Sequence, residues 1–185
     1  MNTVPDAVPL SLPQFHFAGL HLRAFLPGDE YSWFDYLRLP EVARATGWHV
    51  ASAAELLPLM ARTAGEPMTR FALADGNGKL AGTTGFFDWG GEQAEIAYDL
   101  APPWWGKGIA GAACAALCAW AERQGLRHIR ACVPEDNRAS ARVLEKCGFD
   151  WEGLVRQARH ADGIVRTYRA YRRQAGTGDQ QRPAS

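Results

Sequence analysis

Between Pro102-Pro103 and an alanine-rich run beginning at Ile109, the chain reads Trp104-Trp105-Gly106-Lys107-Gly108-Ile109-Ala110-Gly111. Two prolines end whatever strand precedes them, and the glycines permit a turn tight enough to feed straight into a helix. A helix that starts this way presents the unpaired N–H groups of its first turn, with the helix dipole behind them. Phosphate binds well at such a start. A ligand-free strand-to-helix turn would use the same glycines, so the flanking sequence has to decide.

Two familiar phosphate loops do not fit. A nucleoside-triphosphate loop needs Ser or Thr directly after Gly-Lys to hold magnesium, and Lys107 is followed by Gly108. Gly106, Gly108 and Gly111 spell a dinucleotide fingerprint literally. That fingerprint should leave a fully buried parallel strand directly and meet an acidic residue about 20 positions on. Here an alternating strand ends near Leu100, five residues intervene, and the later position holds apolar Ala131-Cys132.

The rest of the chain alternates between strand and helix patterns. Leu20–Phe25, Phe71–Ala74, Lys79–Phe87, Gln93–Leu100, His128–Val133, Phe149–Val155 and Ile164–Tyr171 read as strands. Asp75-Gly76-Asn77-Gly78 makes a hairpin turn between two of them, and Asp162-Gly163 another. Along Gln93–Leu100, Glu95, Ala97 and Asp99 alternate with Ile96, Tyr98 and Leu100, the pattern of a half-buried strand. Asp29 or Ser32 is suited to cap a helix reaching Leu39, and Ser52 one from Ala53 to Arg62. Pro40 to Trp48 reads as an aromatic loop between them. Lys107 to Gln124 is a helix stopped by Gly125, and Asp136 or Asn137 caps another that closes at Gly148. Residues 1–13, with three prolines, read as an extended arm, 14–174 as one domain, and 175–185 as a disordered tail.

Composition narrows the partners. Twenty basic residues balance twenty acidic ones in 185, so no overall charge draws nucleic acid or an anionic membrane. No apolar run nears the roughly 18 residues of a membrane span, and the N-terminus lacks the features of a secretion signal. These features place the protein in the cytoplasm. Cys114, Cys118, Cys132 and Cys147 lie among apolar residues without metal-ligand spacing, which suits reduced core thiols and predicts no metal.

Several pieces then carry a family resemblance together: Ala94-Glu95-Ile96-Ala97-Tyr98, Pro103 to Ala110, Asn137-Arg138-Ala139-Ser140, and Leu144 to Phe149 followed by Glu152-Gly153. In that order and spacing, over about Leu20 to Arg173, the chain resembles the GNAT superfamily of acyl-CoA N-acyltransferases. Within it, the chain resembles the RimJ/RimL branch of ribosomal-protein N-terminal acetyltransferases and their relatives. Trp105 stands where the superfamily usually carries Arg or Gln, and an aromatic is familiar there in this branch. The resemblance implies an α/β fold with a mixed, mostly antiparallel central sheet. That sheet would be splayed at the coenzyme site and flanked by about four helices.

It also implies a reaction and a set of roles. Acetyl-CoA would be the co-substrate, with its pyrophosphate held by backbone N–H groups of Gly106, Lys107, Gly108, Ile109 and Ala110, and Trp105 also counted among the coenzyme-binding residues. Its peptide-like arm would run along the strand through Tyr98 to Leu100, beside Asn137 and Ser140. Acetyl would pass directly to a primary amine, a protein N-terminus or a small molecule, in a ternary complex whose proximity effect supplies on the order of 7 kcal/mol. Glu95 is the candidate base, against the plainer reading of a solvated strand carboxylate. Ser140 is the candidate partner of the departing sulfur, against plain helix capping with Asn137. Tyr98 would donate a proton or simply pack. Trp33, Trp48, Trp89 and Trp151 are candidates to wall the acceptor groove, or equally to pack. Relatives of the RimL type expect an acidic residue after Glu-Gly where this chain has Arg159, which weighs against a ribosomal-protein acceptor. Homodimers are common among relatives. A non-catalytic acyl-CoA-binding or regulatory module on the same fold is the alternative.

Overall fold

The computed structural model describes residues 12–60, 69–158 and 163–175. Among these described residues, eight strands form one sheet: β1 (His16–Phe17), β2 (Leu20–Arg23), β3 (Thr69–Ala74), β4 (Leu80–Gly90), β5 (Gln93–Leu100), β6 (His128–Pro134), β7 (Asp150–Ala158) and β8 (Val165–Gln174). Their order is β1-β2-β3-β4-β5-β6-β8-β7. Every neighbouring pair is antiparallel except β5 with β6. Around the sheet lie α1 (Asp29–Leu37), α2 (Pro40–Thr46), α3 (Leu57–Met60), α4 (Ile109–Arg123) and α5 (Arg138–Lys146). This is the mixed, mostly antiparallel architecture the sequence implied.

The parallel pair is short. Gln93, Ala94 and Glu95 pair with His128, Ile129 and Arg130, and there the ladder ends. Each strand continues with its outer neighbour: β5 stays paired with β4 to Leu100, and β6 with β8 to Pro134. The two halves of the sheet therefore separate as a wedge, with Glu95 and Arg130 forming its last closed rung.

Two apolar layers cover the sheet because its strands alternate. Phe71, Leu73, Phe86, Ile96 and Leu100 share a core with Ile129, Val133 and the α4 stripe of Ile109, Ala113, Leu117 and Trp120. Phe71 meets the Trp120 ring edge-on at 5.6 Å, and Phe86 stacks on it at 6.3 Å. Ala72 and Leu80 instead pack beneath Trp33, Tyr36 and Leu37 of α1 and Val42 of α2. Both sides of β5 are thus covered. Glu95 is only 7% exposed and Asp99 is also buried, so the face expected to meet solvent lies under the second layer.

Local expectations fail where tertiary contacts supply what the chain itself does not. Pro40 to Trp48 is not a loop. Pro40 starts α2 with its fixed φ, and Gly47 ends it in the left-handed region (φ 75°), donating to the Ala43 carbonyl at 2.8 Å. Asp29 does not cap α1; Gly28 holds the cap position, and the Asp29 carboxylate accepts from Arg23 at 2.6 and 2.9 Å and from the Leu26 N–H at 2.8 Å. After Ser52, which makes no side-chain cap bond, a 3₁₀ turn at Ala53–Leu56 leads into α3. Pro58 lacks the N–H an α-helix would need there. The short β1, folded back on β2, had no period to betray it. Arg62, Arg159, Asp162, and the predicted arm and tail apart from Leu12, Pro13 and Ala175, lie outside the described residues.

Candidate functional site

The Pro102–Trp104 segment forms a 3₁₀ turn, with the Trp104 and Trp105 N–H groups donating to Ala101 and Pro102 carbonyls at 2.9 and 3.0 Å. Gly106 and Gly108 then take left-handed φ of 72° and 76°, and Gly108 caps α4 without any side-chain bond. A Cβ at Gly108 would meet only Phe17 at ordinary distance, so φ rather than space demands glycine there. Ala112 is the first residue of α4 to donate within the helix, to Gly108. The preceding N–H groups are the free ends that every helix start carries.

These residues wall one end of a cleft of about 1160 Å³ that occupies the wedge. Glu95 to Leu100 of β5, Ala131 to Pro134 of β6, Asn137 to Ser140 and the start of α4 line it, and it continues to Trp48, Arg70 and Phe87 beyond β5. Trp105 fastens the loop to the end of β5, its indole Nε1 donating to the Leu100 carbonyl at 2.7 Å. One lone pair of the carbonyl expected to meet the coenzyme arm is therefore taken by the protein. Lys107 is exposed and does not line the cleft; its Nζ stands 4.9 Å from the centre of the Trp104 ring.

At the far wall, Asn137 caps α5. Its Oδ1 accepts from the Ser140 N–H at 3.0 Å, while its Nδ2 donates to the Ser140 Oγ at 3.1 Å and to the Ala45 carbonyl of α2 at 2.7 Å. Capping and cleft lining coexist in this pair. Because Ser140 Oγ accepts from Asn137, its own hydrogen is directed elsewhere. The Tyr98 hydroxyl donates to the Ser140 carbonyl at 3.3 Å, bridging the wedge. Burial pushes the Tyr98 phenol far up, so it stays protonated at any working pH. Glu95 sits at the apex of the wedge and lines the cleft.

The tryptophans divide. Trp48 lines the cleft. Trp33 is wholly buried behind it, stacked on Phe25 at 5.4 Å, and Trp89 packs against Phe86 and Trp120 on the opposite face of the sheet. Neither reaches the cleft, and Trp151 is exposed on the edge strand β7. Helix position and strand parity, rather than aromatic character, decide which ring meets the cavity.

Sequence reasoning missed a buried polar cluster on the cleft wall. Arg70 and Asp99 have side chains only 2% and 4% exposed and form an ion pair through Nη2. Arg70 Nε donates to Thr83 Oγ1 at 2.8 Å, Thr83 donates on to Asp99 at 2.7 Å, and the Tyr36 hydroxyl donates to the other Asp99 oxygen. Burial first, then the Asp99 charge, drives the Tyr36 phenol well above its ordinary range. The Arg70 guanidinium lies over the rings of Trp33, Phe87 and Trp48 at 5.0, 5.2 and 5.3 Å. Its Nη1 has no hydrogen-bond partner among the described residues. A charged residue within the apolar run Thr69-Arg70-Phe71-Ala72-Leu73 was the available signal.

Behind the cleft, Cys114 and Cys118 of α4 lie near Cys147. A hydrogen bond from the Cys114 thiol lowers Cys147 to about 7, and the Arg173 charge adds to the shift. Among the described residues no group of three or more His, Cys, Asp or Glu side chains is placed to hold a metal ion. Nor is any helix there long and apolar enough to cross a membrane.

Comparison with known proteins gives concordant results. The family model of the acetyltransferase (GNAT) domain matches residues 20–150. The uncharacterized N-acetyltransferases YoaA of Bacillus subtilis (strain 168) and p20 of Bacillus licheniformis are each 36% identical over 88 residues, 46% of this chain. The match spans about half the length of these curated relatives, 50% and 49%. Among solved structures, a ribosomal-protein-S5-alanine acetyltransferase from Vibrio fischeri superposes with a TM-score of 0.74 at 21% identity, covering 89% of this chain and 98% of that one. A spermidine N-acetyltransferase from Vibrio cholerae, in complex with CoA and spermine, gives 0.72 at 21% identity over 85% and 96%. At such identities the likeness speaks for the fold alone.

Proposed function

The chain belongs to the acetyltransferase (GNAT) domain family, and from that premise we propose that it transfers acetyl from acetyl-CoA directly to a primary amine. The observation that carries this reading is the ladder between β5 and β6, which stops at Glu95–Arg130 and opens a cleft running to the glycine start of α4. A diphosphate suits that start, because the first-turn N–H groups have no backbone partner among the described residues and left-handed Gly106 and Gly108 keep side chains away. The peptide-like arm of the coenzyme finds in β5 a strand whose inner edge has no partner strand past Glu95 among the described residues. Acetyl-CoA supplies the thioester.

The chain's own groups supply the rest. Glu95, at the apex, takes a proton from the incoming ammonium so that a neutral nitrogen attacks. As the new C–N bond forms and the C–S bond breaks, the surplus proton of the nitrogen passes to the departing sulfur, which leaves as a thiol, and Glu95 returns the proton it took to solvent. Ser140 Oγ–H donates a hydrogen bond to that sulfur, while Tyr98 holds the Ser140 backbone in place. Proximity contributes much of the acceleration, on the order of 7 kcal/mol, without a covalent enzyme intermediate. Trp48 borders the acceptor end.

The deciding experiment is an acetyl-CoA titration followed by thiol release with a panel of amines. Binding with turnover on at least one amine is the expected result. Binding without turnover on any amine would instead make the protein an acyl-CoA-binding module, and failure to bind would remove the reading altogether.

A further inference from the structure

Resting on that transferase reading, we propose that Arg70 selects the acceptor: the amine must carry a carbonyl or carboxylate oxygen on the carbon next to the one bearing nitrogen, as an α-amino acid or a peptide N-terminus does. Arg70 has committed Nε to Thr83 and Nη2 to Asp99, and its charge is balanced by that carboxylate. Nη1 is left over, buried and without a partner among the described residues, on a side chain that lines the cleft. A charged donor in such a place is satisfied in nearly every folded protein. In this one the partner that fits is an oxygen of the substrate.

The surroundings say where that oxygen stands relative to the reacting nitrogen. Glu95 and Phe87 form one rung of the β4–β5 ladder, and the Arg70 guanidinium lies over the Phe87 ring at 5.2 Å. Glu95, proposed to take the amine's proton, and the Arg70 side chain that carries the unused donor thus line the cleft from the same sheet face. An amine and a neighbouring carbonyl present that face with a donor and an acceptor only a few bonds apart. Trp48, half-buried on the segment after Gly47, covers the guanidinium at 5.3 Å, and the acceptor reaches Nη1 past that ring. A polyamine offers Nη1 nothing to bind and brings further positive charge beside it. An acceptor that satisfies the donor gains about ten- to a hundredfold over one that leaves it stranded.

The test compares kcat/KM for phenylalanine, its amide, a phenylalanine-initiated dipeptide, phenethylamine and spermidine, in the wild type and in Arg70→Lys. The lysine keeps a cation beside Asp99 but has no group at the Nη1 position. In the wild type the carbonyl-bearing acceptors should exceed phenethylamine and spermidine at least about tenfold. Arg70→Lys should bring that ratio below about threefold, with acetyl-CoA affinity unchanged. A purely structural role would lower all acceptors together and leave the ratio intact. Preference for the free acid over the amide and dipeptide identifies a carboxylate; equal or greater activity on the latter identifies a peptide carbonyl. Turnover without the wild-type preference, or a ratio that survives Arg70→Lys, overturns the inference and leaves the transferase reading standing. Acetyl-CoA binding with no turnover on any amine overturns both. If Arg70→Lys does not fold, the wild-type ratio decides.

Discussion

Asp99→Asn tests the energetics of the buried cluster independently of catalysis. The carboxylate accepts from Arg70, Thr83 and Tyr36, and both members of the ion pair are almost wholly sealed from water. An amide in its place keeps the shape and one acceptor oxygen but strands the Arg70 charge. Removing one partner of a buried pair costs about 3–5 kcal/mol, more than a neutral hydrogen-bond loss would. For a chain of this size, each kcal/mol moves Tm by about 2–4 °C, so Asp99→Asn should melt about 6–20 °C lower. The double variant Arg70→Met, Asp99→Asn removes both charges while leaving an oxygen for Tyr36 and Thr83. In urea titrations, its loss should therefore fall short of the sum of the single losses by about 2–3 kcal/mol. If Asp99→Asn costs under about 1 kcal/mol, or the two changes add within about 0.5 kcal/mol, the cluster is not the coupled, water-free unit described.

Three further outcomes follow from the site. Gly108→Ala places about 1–2 kcal/mol of left-handed strain at φ 76°, where its Cβ meets no close atom, so the free loop should relax away from that shape and acetyl-CoA binding, which must restore it, should weaken by up to that amount; calorimetry reads the change, and an unaltered affinity would separate the loop's geometry from coenzyme binding. Glu95→Gln should lower kcat and flatten its rise with pH, whereas Ser140→Ala should slow transfer with little change in acetyl-CoA affinity; an unchanged pH profile, or a large loss of affinity, would reassign those roles. Cys147, held down to about 7 against an ordinary 9, gains thiolate as pH rises through neutrality. Its alkylation, followed by mass spectrometry, should reach half-maximal rate near pH 7, while Cys132, pushed up by burial, reacts later; equal rates would remove the Cys114 effect.

What the sequence made legible was what neighbouring residues determine. The left-handed glycines, the Asn137 cap and the alanine-rich α4 all depend on residues a few positions apart, and each stands where the pattern put it. Helix α2 escaped because it buries only Val42 and is defined by its ends, Pro40 and Gly47, rather than by a stripe. Glu95 and Asp99 looked solvent-facing because strand alternation marks two faces without saying what covers either. The Arg70–Asp99 pair was beyond reach for a different reason: 29 positions separate its members, and Thr83 on the intervening strand completes the link. Trp33 and Trp89 show the same gap for aromatic residues, whose meaning depends on the layer that receives them.

The wedge carries a mechanical consequence. A sheet whose middle is joined by three rungs behaves as two plates sharing a short hinge, and beyond the hinge they are latched by Tyr98 to Ser140 and by Asn137 to Ala45. Free energy of opening is lowest where such cross-links are fewest. A long ligand threaded between the plates adds links to both and so acts as a temporary ninth strand. Amide hydrogen exchange along β5 and β6 would then report coenzyme occupancy even when no amine is present and no acetyl group moves.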